Sequence, residues 1–316
     1  LMTREELKQT DSECIAHTYR RFDAVLAQGK NATAVDQSGR LLIDFTSGIG
    51  VNSLGWGDER WAKAVAEQAA RLAHASNLYY TEPCVRLARM LCERTGCGKV
   101  FFANSGAEAN EGAIKAARKY SRDHHGPGRH QIITLVNSFH GRTVTTLSAT
   151  GQDSFHHTFG PFTEGFAYVP AGDMGALLQA VTPHTCAVMV ELVQGEGGVI
   201  PLKEKYIRSL EALCAQKDIL LIVDEVQTGV GRTGSLYCYE QYGIRPDIVT
   251  SAKGLGGGLP IGAVLLFGRA EETFGPGDHG STFGGNPVAA AGACAVLERM
   301  DRDMLEEIRR KGNWVR

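Results

Sequence analysis

Residues 219–225 read ILLIVDE, five apolar residues followed by two acids. A continuous apolar run of this length is typical of a strand buried on both faces of a parallel sheet. An acid at the end of such a strand is costly to bury unless a cation lies against it. The segment therefore predicts a buried strand that delivers Asp224 to a site with a cationic partner.

Similar strand-like runs alternate with helical patterns through most of the chain. The strand-like runs cover residues 100–103, 132–136, 187–192, 219–223, 248–251 and 263–267, and the helical patterns cover residues 58–73, 82–94, 107–121, 205–216 and 287–300. This alternation predicts an α/β fold with a mostly parallel central sheet. Ligands of such sheets bind at the carboxyl ends of the strands, where Asp224, Lys253 and the turn at 104–106 would meet.

The two ends of the chain depart from this pattern. Residues 1–45 combine a helical pattern at 5–19 with a hairpin-like piece at 32–44, which predicts the N-terminal part of a smaller α+β domain. Residues 46–286 are predicted to form the large domain. Residues 287–316 are predicted to form a connecting helix and the start of a C-terminal part of the small domain.

Composition narrows the class of protein. The 316 residues carry a net charge of -2, which gives no electrostatic reason to expect nucleic acid as a partner. No apolar run is long enough to span a bilayer, so no membrane association is expected. Eight cysteines without C-x-x-C spacing indicate reduced thiols and a cytoplasmic protein. The adjacent histidine pairs at 124–125 and 156–157 are poorly placed for joint ligation, and no metal site is predicted.

Lys253 lies in the segment SAKGLGGG, at residues 251–258 and twenty-nine positions after Asp224. A lysine amine can form a Schiff base with an aldehyde cofactor, and a carboxylate can hold the pyridine nitrogen of that cofactor protonated. A solvated lysine on a surface loop is the alternative. The pairing with Asp224 and the glycines that follow favour a site for pyridoxal phosphate.

Three further segments add binding groups, each with a purely structural alternative. The segment NSGAEAN at 104–110 follows a strand and opens a helix, so it predicts an anion site, although Ser105 and Glu108 also fit a plain capping box. In SFHGRT, at 138–143, the aromatic ring can stack on a flat cofactor and the arginine can bind a carboxylate, or the phenylalanine is a core residue and the arginine is solvated. The segment HGSTFGGNP at 279–287 offers a hydroxyl to a phosphate, or is only a turn before a helix.

Two rival enzyme classes lack their motifs. An acid that binds magnesium in a nucleoside triphosphatase needs a G-x-x-x-x-G-K-[ST] loop, and the nearest candidate, at Gly98 and Lys99, lacks the first glycine and the final hydroxyl residue. The glycines at positions 48, 50 and 55 do not match the fingerprint of nicotinamide dehydrogenases.

Taken together, the chain resembles the class III (omega) aminotransferases of PLP fold type I. The segments that carry the resemblance are DFTSG (44–48), NLYYTEP (77–83), SFHGRT (138–143), LSATGQ (147–152), QGEGG (194–198) and GSTFGGNP (280–287). The resemblance implies that pyridoxal 5'-phosphate is the cofactor. It also implies transfer of the terminal amino group of N-acetylornithine to 2-oxoglutarate, which gives N-acetylglutamate 5-semialdehyde and glutamate, in arginine biosynthesis.

Other functions stay open at this point. Ornithine, succinylornithine, N-succinyl-diaminopimelate and 4-aminobutyrate are alternative amino donors, because Arg142 accepts any distal carboxylate. An inactive PLP-binding fragment and a non-catalytic PLP-fold module are further alternatives. A module of a DNA-binding regulator would need a basic cluster, and the first 45 residues contain none.

The resemblance implies roles for individual residues. Lys253 is the catalytic lysine, which holds the cofactor and moves the proton, and Asp224 pairs with the pyridine nitrogen. The other cofactor-binding residues are Ser105, Gly106 and Ala107 at the phosphate, Phe139 and Val226 on the two ring faces, Gln227 at the phenolic oxygen, and His140. Thr282 reaches the phosphate in the neighbouring subunit of a homodimer. The substrate-binding residues are Arg142, Ser281 and Glu196, of which Glu196 is similar to an acid that switches between the two substrates.

Two departures from the family pattern affect the expected activity. Relatives continue past position 316 into a C-terminal region that carries a second arginine, the partner of the acid at position 196. We therefore expect this chain to bind pyridoxal phosphate and to handle 2-oxoglutarate poorly. The segment LGWGD, at residues 54–58, stands where relatives commonly have Gly-His, which affects fine specificity.

Overall fold

A computed structural model describes residues 2–315. Residues 1 and 316, the outer bounds of the predicted domains, lie outside the described residues. The helices are α1 (Arg4–Cys14), α2 (Ser47–Gly50), α3 (Glu59–Arg71), α4 (Glu82–Thr95), α5 (Gly106–His125), α6 (Val144–Ala149), α7 (Met174–Ala180), α8 (Glu204–Lys217), α9 (Tyr239–Tyr242), α10 (Pro287–Arg299) and α11 (Arg302–Val315). The strands are β1 (Leu26–Lys30), β2 (Thr33–Asp36), β3 (Leu41–Ile43), β4 (Lys99–Ala103), β5 (Gln131–Leu135), β6 (Phe166–Val169), β7 (Thr185–Val190), β8 (Val193–Gln194), β9 (Ile200–Pro201), β10 (Leu220–Asp224), β11 (Ile248–Ser251) and β12 (Gly262–Leu266). Within the described residues, no helix is both long and apolar enough to cross a bilayer.

The central sheet has seven strands in the order β4-β12-β11-β10-β7-β5-β6. Neighbouring strands are parallel from β11 through to β6, and β12 is antiparallel to both β11 and β4. Strand β10 lies in the middle and is buried at every position. The predicted α/β fold with a mostly parallel sheet is therefore confirmed.

Helices cover both faces of this sheet, which explains the continuous apolar runs. Alternate residues of β10 belong to different core clusters: Leu221 and Val223 pack in one, and Leu220 and Ile222 pack in the other. The second cluster includes the alanine-rich face of α5, and the first includes α8 and α10. A strand enclosed in this way has no solvent-facing side, which favours apolar residues along its length.

The parallel arrangement determines where the functional segments lie. Strand β10 ends at Asp224, and β11 ends two residues before Lys253. Strands β4 and β5 end just before the segments 104–107 and 138–142. Because parallel strands end at the same edge of a sheet, these segments meet there.

The N-terminal region differs from the expectation in two ways. Helix α1 ends at Cys14 rather than at residue 19, because Ile15 is already extended and no residue of α1 is buried to hold a longer helix in place. A three-stranded antiparallel sheet, β1-β2-β3, begins at Leu26 instead of a hairpin at residue 32. The edge strand β6 was not predicted at all. The boundaries of the domains stay a prediction.

Replacing Gly262 should destabilise the fold, because this first residue of β12 touches the turn after β4. A Cβ atom on Gly262 would lie 2.3 Å from the carbonyl oxygen of Ser105. We expect Gly262→Ala to lower the free energy of unfolding by about 1–3 kcal/mol, measured by denaturant titration. Gly312→Ala is the control, since nothing lies within 4 Å of its Cβ position, and it should leave stability unchanged or raise it. Equal stability of Gly262→Ala and wild type would contradict the tight contact.

Candidate active site

A cavity of about 510 Å³ opens at the carboxyl edge of the sheet. It brings together the predicted site residues Ser105, Gly106, Ala107, Phe139, His140, Arg142, Glu196, Asp224, Val226, Gln227 and Lys253. These residues come from five separate segments of the chain. Their convergence follows from the strand order, because β4, β5, β7, β10 and β11 all end at this edge.

The Asp224 carboxylate lies at the base of this cavity and is 4% exposed. Its Oδ2 atom accepts hydrogen bonds from Asn110 Nδ2 and from the His140 ring, each at 2.8 Å. Its Oδ1 atom accepts a hydrogen bond from the backbone N–H of Val226 at 3.0 Å. A buried carboxylate with this many donors is fixed in one orientation and remains available to a cation on its open side.

His140 is fully buried, is hydrogen-bonded to the Asp224 carboxylate and also feels the charge of a second acid, Glu191. Burial of the ring disfavours its charged form, but the hydrogen bond to Asp224 and the charges of Asp224 and Glu191 outweigh burial and raise the pKa of His140. The Nε2 atom of the ring has no hydrogen-bond partner in the part of the chain that is described. A buried polar atom of this kind calls for a bound group or water that completes its hydrogen bonds.

Lys253 extends into the same cavity from a 3-10 turn at Lys253–Gly256. Its backbone has φ of 44°, in the left-handed region, and the Ser53 hydroxyl donates a hydrogen bond to the carbonyl of Gly254 at 2.8 Å. Burial lowers the pKa of Lys253, against the opposing effect of the Asp224 and Glu196 charges. A lowered pKa increases the fraction of neutral amine, which is the form that attacks a carbonyl carbon.

The N-terminus of α5 forms one wall of the cavity. There the 104–110 segment acts both as a helix cap and as an anion site. Ser105 Oγ accepts a hydrogen bond from the N–H of Glu108 at 3.1 Å, as a helix cap does. The backbone N–H groups of Gly106 and Ala107 have no acceptor within residues 2–315 and can bind an anion. A Cβ atom on Gly106 would lie 2.5 Å from Val226 Cγ1, so only glycine lets the helix approach that closely.

Arg142 lies at the mouth of the cavity and is exposed. Its guanidinium carbon is 4.7 Å from the centre of the Phe155 ring and 5.8 Å from that of Phe139. It has no acidic partner within the described chain. An arginine supported by aromatic rings, with its hydrogen-bond donors unused, is suited to binding a carboxylate.

Ser281 and Thr282 do not line this cavity. They line a separate pocket with Asn77 and residues 100–102 of β4. Ser281 Oγ accepts hydrogen bonds from Gly284 N at 2.9 Å and from Asn104 Nδ2 at 3.2 Å. Ser281 therefore shapes a loop here, and Thr282 is exposed beside it.

Six residues that line the cavity are not among the predicted site residues: Tyr19, Asn110, Gly141, Glu191, Val193 and Thr228. Asn110 lies one turn into α5, on the same helix face as Gly106, so its spacing of four could have revealed it. Glu191 follows the apolar strand β7 directly, which is the same signal that singled out Asp224. Tyr19 lies in an irregular segment without any local signal.

The residues of this cavity fit pyridoxal phosphate. A cation-binding acid, an amine and an anion site at a helix N-terminus match the ring nitrogen, the aldehyde and the phosphate of that molecule. The unpaired Nε2 atom of His140 and the close approaches at Gly106 and Gly195 indicate a narrow, polar slot rather than a void. At Gly195, a Cβ atom would lie 1.9 Å from Gln227 Oε1.

Comparison with known proteins gives the class. Residues 14–315 match the family described as aminotransferase class-III, and the chain belongs to that family. Members of this family depend on pyridoxal phosphate, so the resemblance and the cofactor predicted from the sequence are confirmed.

Several relatives are similar along nearly the whole chain. The acetylornithine aminotransferase of Haemophilus ducreyi is 54% identical over 316 residues, which are all of this chain and 80% of that protein. The acetylornithine aminotransferase of Methanocaldococcus jannaschii is 45% identical over 99% of this chain and 79% of its own length.

Solved structures of two aminotransferases are also similar. The ornithine aminotransferase of Toxoplasma gondii superposes with a TM-score of 0.91 at 36% identity, covering 97% of this chain and 72% of its own. The N-acetylornithine aminotransferase of Stenotrophomonas maltophilia has a TM-score of 0.81 at 38% identity, covering 95% of this chain and 74% of its own.

Proposed function

We propose that this protein is a PLP-dependent aminotransferase that moves the terminal amino group of N-acetylornithine to 2-oxoglutarate. The observation that carries the proposal is the cavity that holds Lys253 and Asp224 beside the N-terminus of α5. The similarity to acetylornithine aminotransferases at 54% identity supports the amino donor. A place in arginine biosynthesis follows from that donor and stays a prediction.

Each residue of the cavity has a separate proposed role. When bound, pyridoxal phosphate supplies an electron-withdrawing ring that lowers the barrier to losing a proton from the carbon beside the substrate nitrogen. Asp224 would keep the ring nitrogen protonated, and the Lys253 amine, with its lowered pKa, would accept the proton that the substrate carbon loses and return it. Gly106 and Ala107 bind the phosphate through their N–H groups, with the Ser105 hydroxyl beside them.

Ring and substrate are held by the remaining groups. Phe139 would stack on one face of the ring, Val226 would pack on the other, and Gln227 would bind its phenolic oxygen. Arg142 binds the carboxylate of the substrate that lies farthest from the reacting amine, which fixes the distance between that carboxylate and Lys253. Holding the reacting C–H bond toward the Lys253 amine is the main contribution of this positioning.

We further propose that the protein works as a homodimer and that Thr282 reaches the phosphate in the partner subunit. Leu78, Tyr80 and Phe283 are 88%, 99% and 58% exposed. Leu78 lines one pocket with Thr282, and Phe283 follows Thr282 in the chain. Asn77 joins the two loops through hydrogen bonds of 3.0 Å to the carbonyls of Ser281 and Gly284. Large apolar side chains exposed on two joined loops are typical of a protein interface, and a second copy of the chain would bring Thr282 to the site of its neighbour.

The free cysteines are typical of a protein in a reducing compartment. All eight are free thiols, and the cavity residues include none of them. Disulfides are rare in the cytosol, so this pattern supports the proposed cytoplasmic location.

Lys253 should carry the cofactor. Borohydride reduction of the protein loaded with pyridoxal phosphate, followed by peptide mass mapping, should place a pyridoxyl group on Lys253. The Lys253→Ala variant should take up no label and lose turnover, because no other lysine lines the cavity. Full activity of that variant, or label on another lysine only, would contradict the proposed role.

Arg142→Ala should weaken carboxylate recognition selectively. Loss of a charge-assisted pair costs about 1.5–3 kcal/mol, so KM for N-acetylornithine should rise roughly 10- to 100-fold. Rates with an unbranched alkyl amine, which has no carboxylate, should stay unchanged. Arg89→Ala, on the exposed face of α4, is the control.

Measuring the ratio of kcat/KM values for N-acetylornithine and ornithine in the wild type decides between the two donors, and a preference for ornithine would overturn the proposed substrate.

Shared sites can be tested by subunit mixing. Lys253→Ala dimers should be inactive, and Thr282→Val dimers should bind the cofactor about tenfold more weakly, through loss of one charge-assisted hydrogen bond. A mixed dimer of the two variants should regain one site with wild-type cofactor affinity. That site would combine Lys253 of one chain with Thr282 of the partner subunit. Mixed protein in which every active site keeps the weak affinity would show that Thr282 acts within its own chain.

A further inference from the structure

Glu191 is a buried acid in the cavity that has no part in the proposed function. It follows β7 directly, is 6% exposed and lines the cavity with Lys253 and Asp224. Three charged groups face it from other elements: Asp224 at the end of β10, His140 after β5, and Lys253 after β11. Its own loop adds Glu196.

The carboxyl of Glu191 joins two loops. Its Oε2 atom accepts a hydrogen bond from the backbone N–H of Phe139 at 2.9 Å. Its Oε1 atom accepts a hydrogen bond from the backbone N–H of Gly195 at 3.3 Å. One of these loops carries the proposed ring-stacking residue, and the other carries Glu196, the residue after Gly195. Each carboxyl oxygen of Glu191 therefore binds a different loop of the cavity wall.

We propose that Glu191 is a positioning residue whose carboxyl ties the Phe139 loop to the Gly195–Glu196 turn, and so sets the pose of the cofactor ring. The proposal rests on the binding of pyridoxal phosphate in the proposed function. Both N–H groups belong to loops, which have no sheet partner at these positions to hold them. Without the carboxyl, nothing in residues 2–315 accepts a hydrogen bond from the Phe139 N–H.

Electrostatics supports a dedicated role for this carboxyl. Burial raises the pKa of Glu191 to about 7, with the charge of His140 opposing the shift and that of Asp224 adding to it. An acid that pays so large a desolvation cost needs compensating donors, and the two backbone N–H groups supply them. An apolar residue would fill the same volume without this cost, yet it could accept neither hydrogen bond.

Glu225 provides a matched control. It is fully buried, and burial likewise raises its pKa to about 7. Its carboxyl accepts hydrogen bonds from the Thr228 hydroxyl at 2.5 Å and from the Tyr239 N–H at 2.7 Å. It does not line the cavity. Both acids therefore resemble each other in burial and charge, and differ in what their oxygens hold.

The test compares Glu191→Gln with Glu225→Gln. An amide offers one acceptor oxygen and one N–H₂ donor, so at position 191 one of the two backbone N–H groups loses its acceptor. We expect Glu191→Gln to bind pyridoxal phosphate about tenfold more weakly. The visible circular dichroism band of the bound cofactor, which reports the ring pose, should shrink. Glu225→Gln should keep both properties, even if its thermal unfolding temperature falls.

A second variant covers the case in which Glu191→Gln does not fold. Glu191→Asp keeps two acceptor oxygens on a shorter side chain. The intensity of its dichroism band should lie between those of the wild type and the Gln variant. If the Gln variant does not fold, the intensity for Glu191→Asp should lie below that of the wild type. Wild-type affinity and band in a folded Glu191 variant would overturn the proposal. An equal loss in Glu225→Gln would also overturn it, because general packing would then explain both. Failure of the wild type itself to bind the cofactor would instead refute the proposed function.

Discussion

Burial of the Asp224 carboxylate at the centre of the sheet is the constraint on which the site depends. A charge in this position is tolerable only if its oxygens are hydrogen-bonded and a cation lies nearby. Asn110 from one helix and His140 from one loop meet at the same oxygen, each at 2.8 Å. Their positions depend on the packing of α5 and of the β5 loop over the sheet. The fold therefore encloses the charge from several sides and leaves one side open to a ligand.

The sheet brings these groups together because its parallel strands end at one edge, and small residues then allow the loops to close on each other. Gly106, Gly195 and Gly262 each stand where a Cβ atom would come within 2.5 Å of a neighbouring segment. The one antiparallel strand, β12, begins at this edge and supports the turn at the start of α5. Close packing at the edge leaves a slot for a flat ligand rather than a wide cleft.

Much of this could be predicted from local sequence, and the remainder depended on tertiary packing. The apolar run before Asp224 and the position of Lys253 after another strand were sufficient to predict a mostly parallel sheet with both groups at one edge. Asn110 was not predicted as a site residue, because a polar residue in an alanine-rich helix gives no signal unless the helix face that meets the sheet is known. Glu191 carried the same local signal as Asp224, but nothing local distinguishes an acid that binds a ligand from one that binds two loops.

The charges around the cavity are separated in space, and this separation explains why a cofactor with two different ends fits there. The Asp224 carboxylate places negative charge at the base, where a protonated ring nitrogen is stabilised. The N-terminus of α5 and Arg142 place positive potential on the wall and at the mouth, where a phosphate and a substrate carboxylate are stabilised. Lys253 lies between them, and burial lowers its pKa even though three acids nearby raise it. Desolvation therefore controls the amine more strongly than charge does, and the lysine can remain reactive beside the very acid that holds the cofactor.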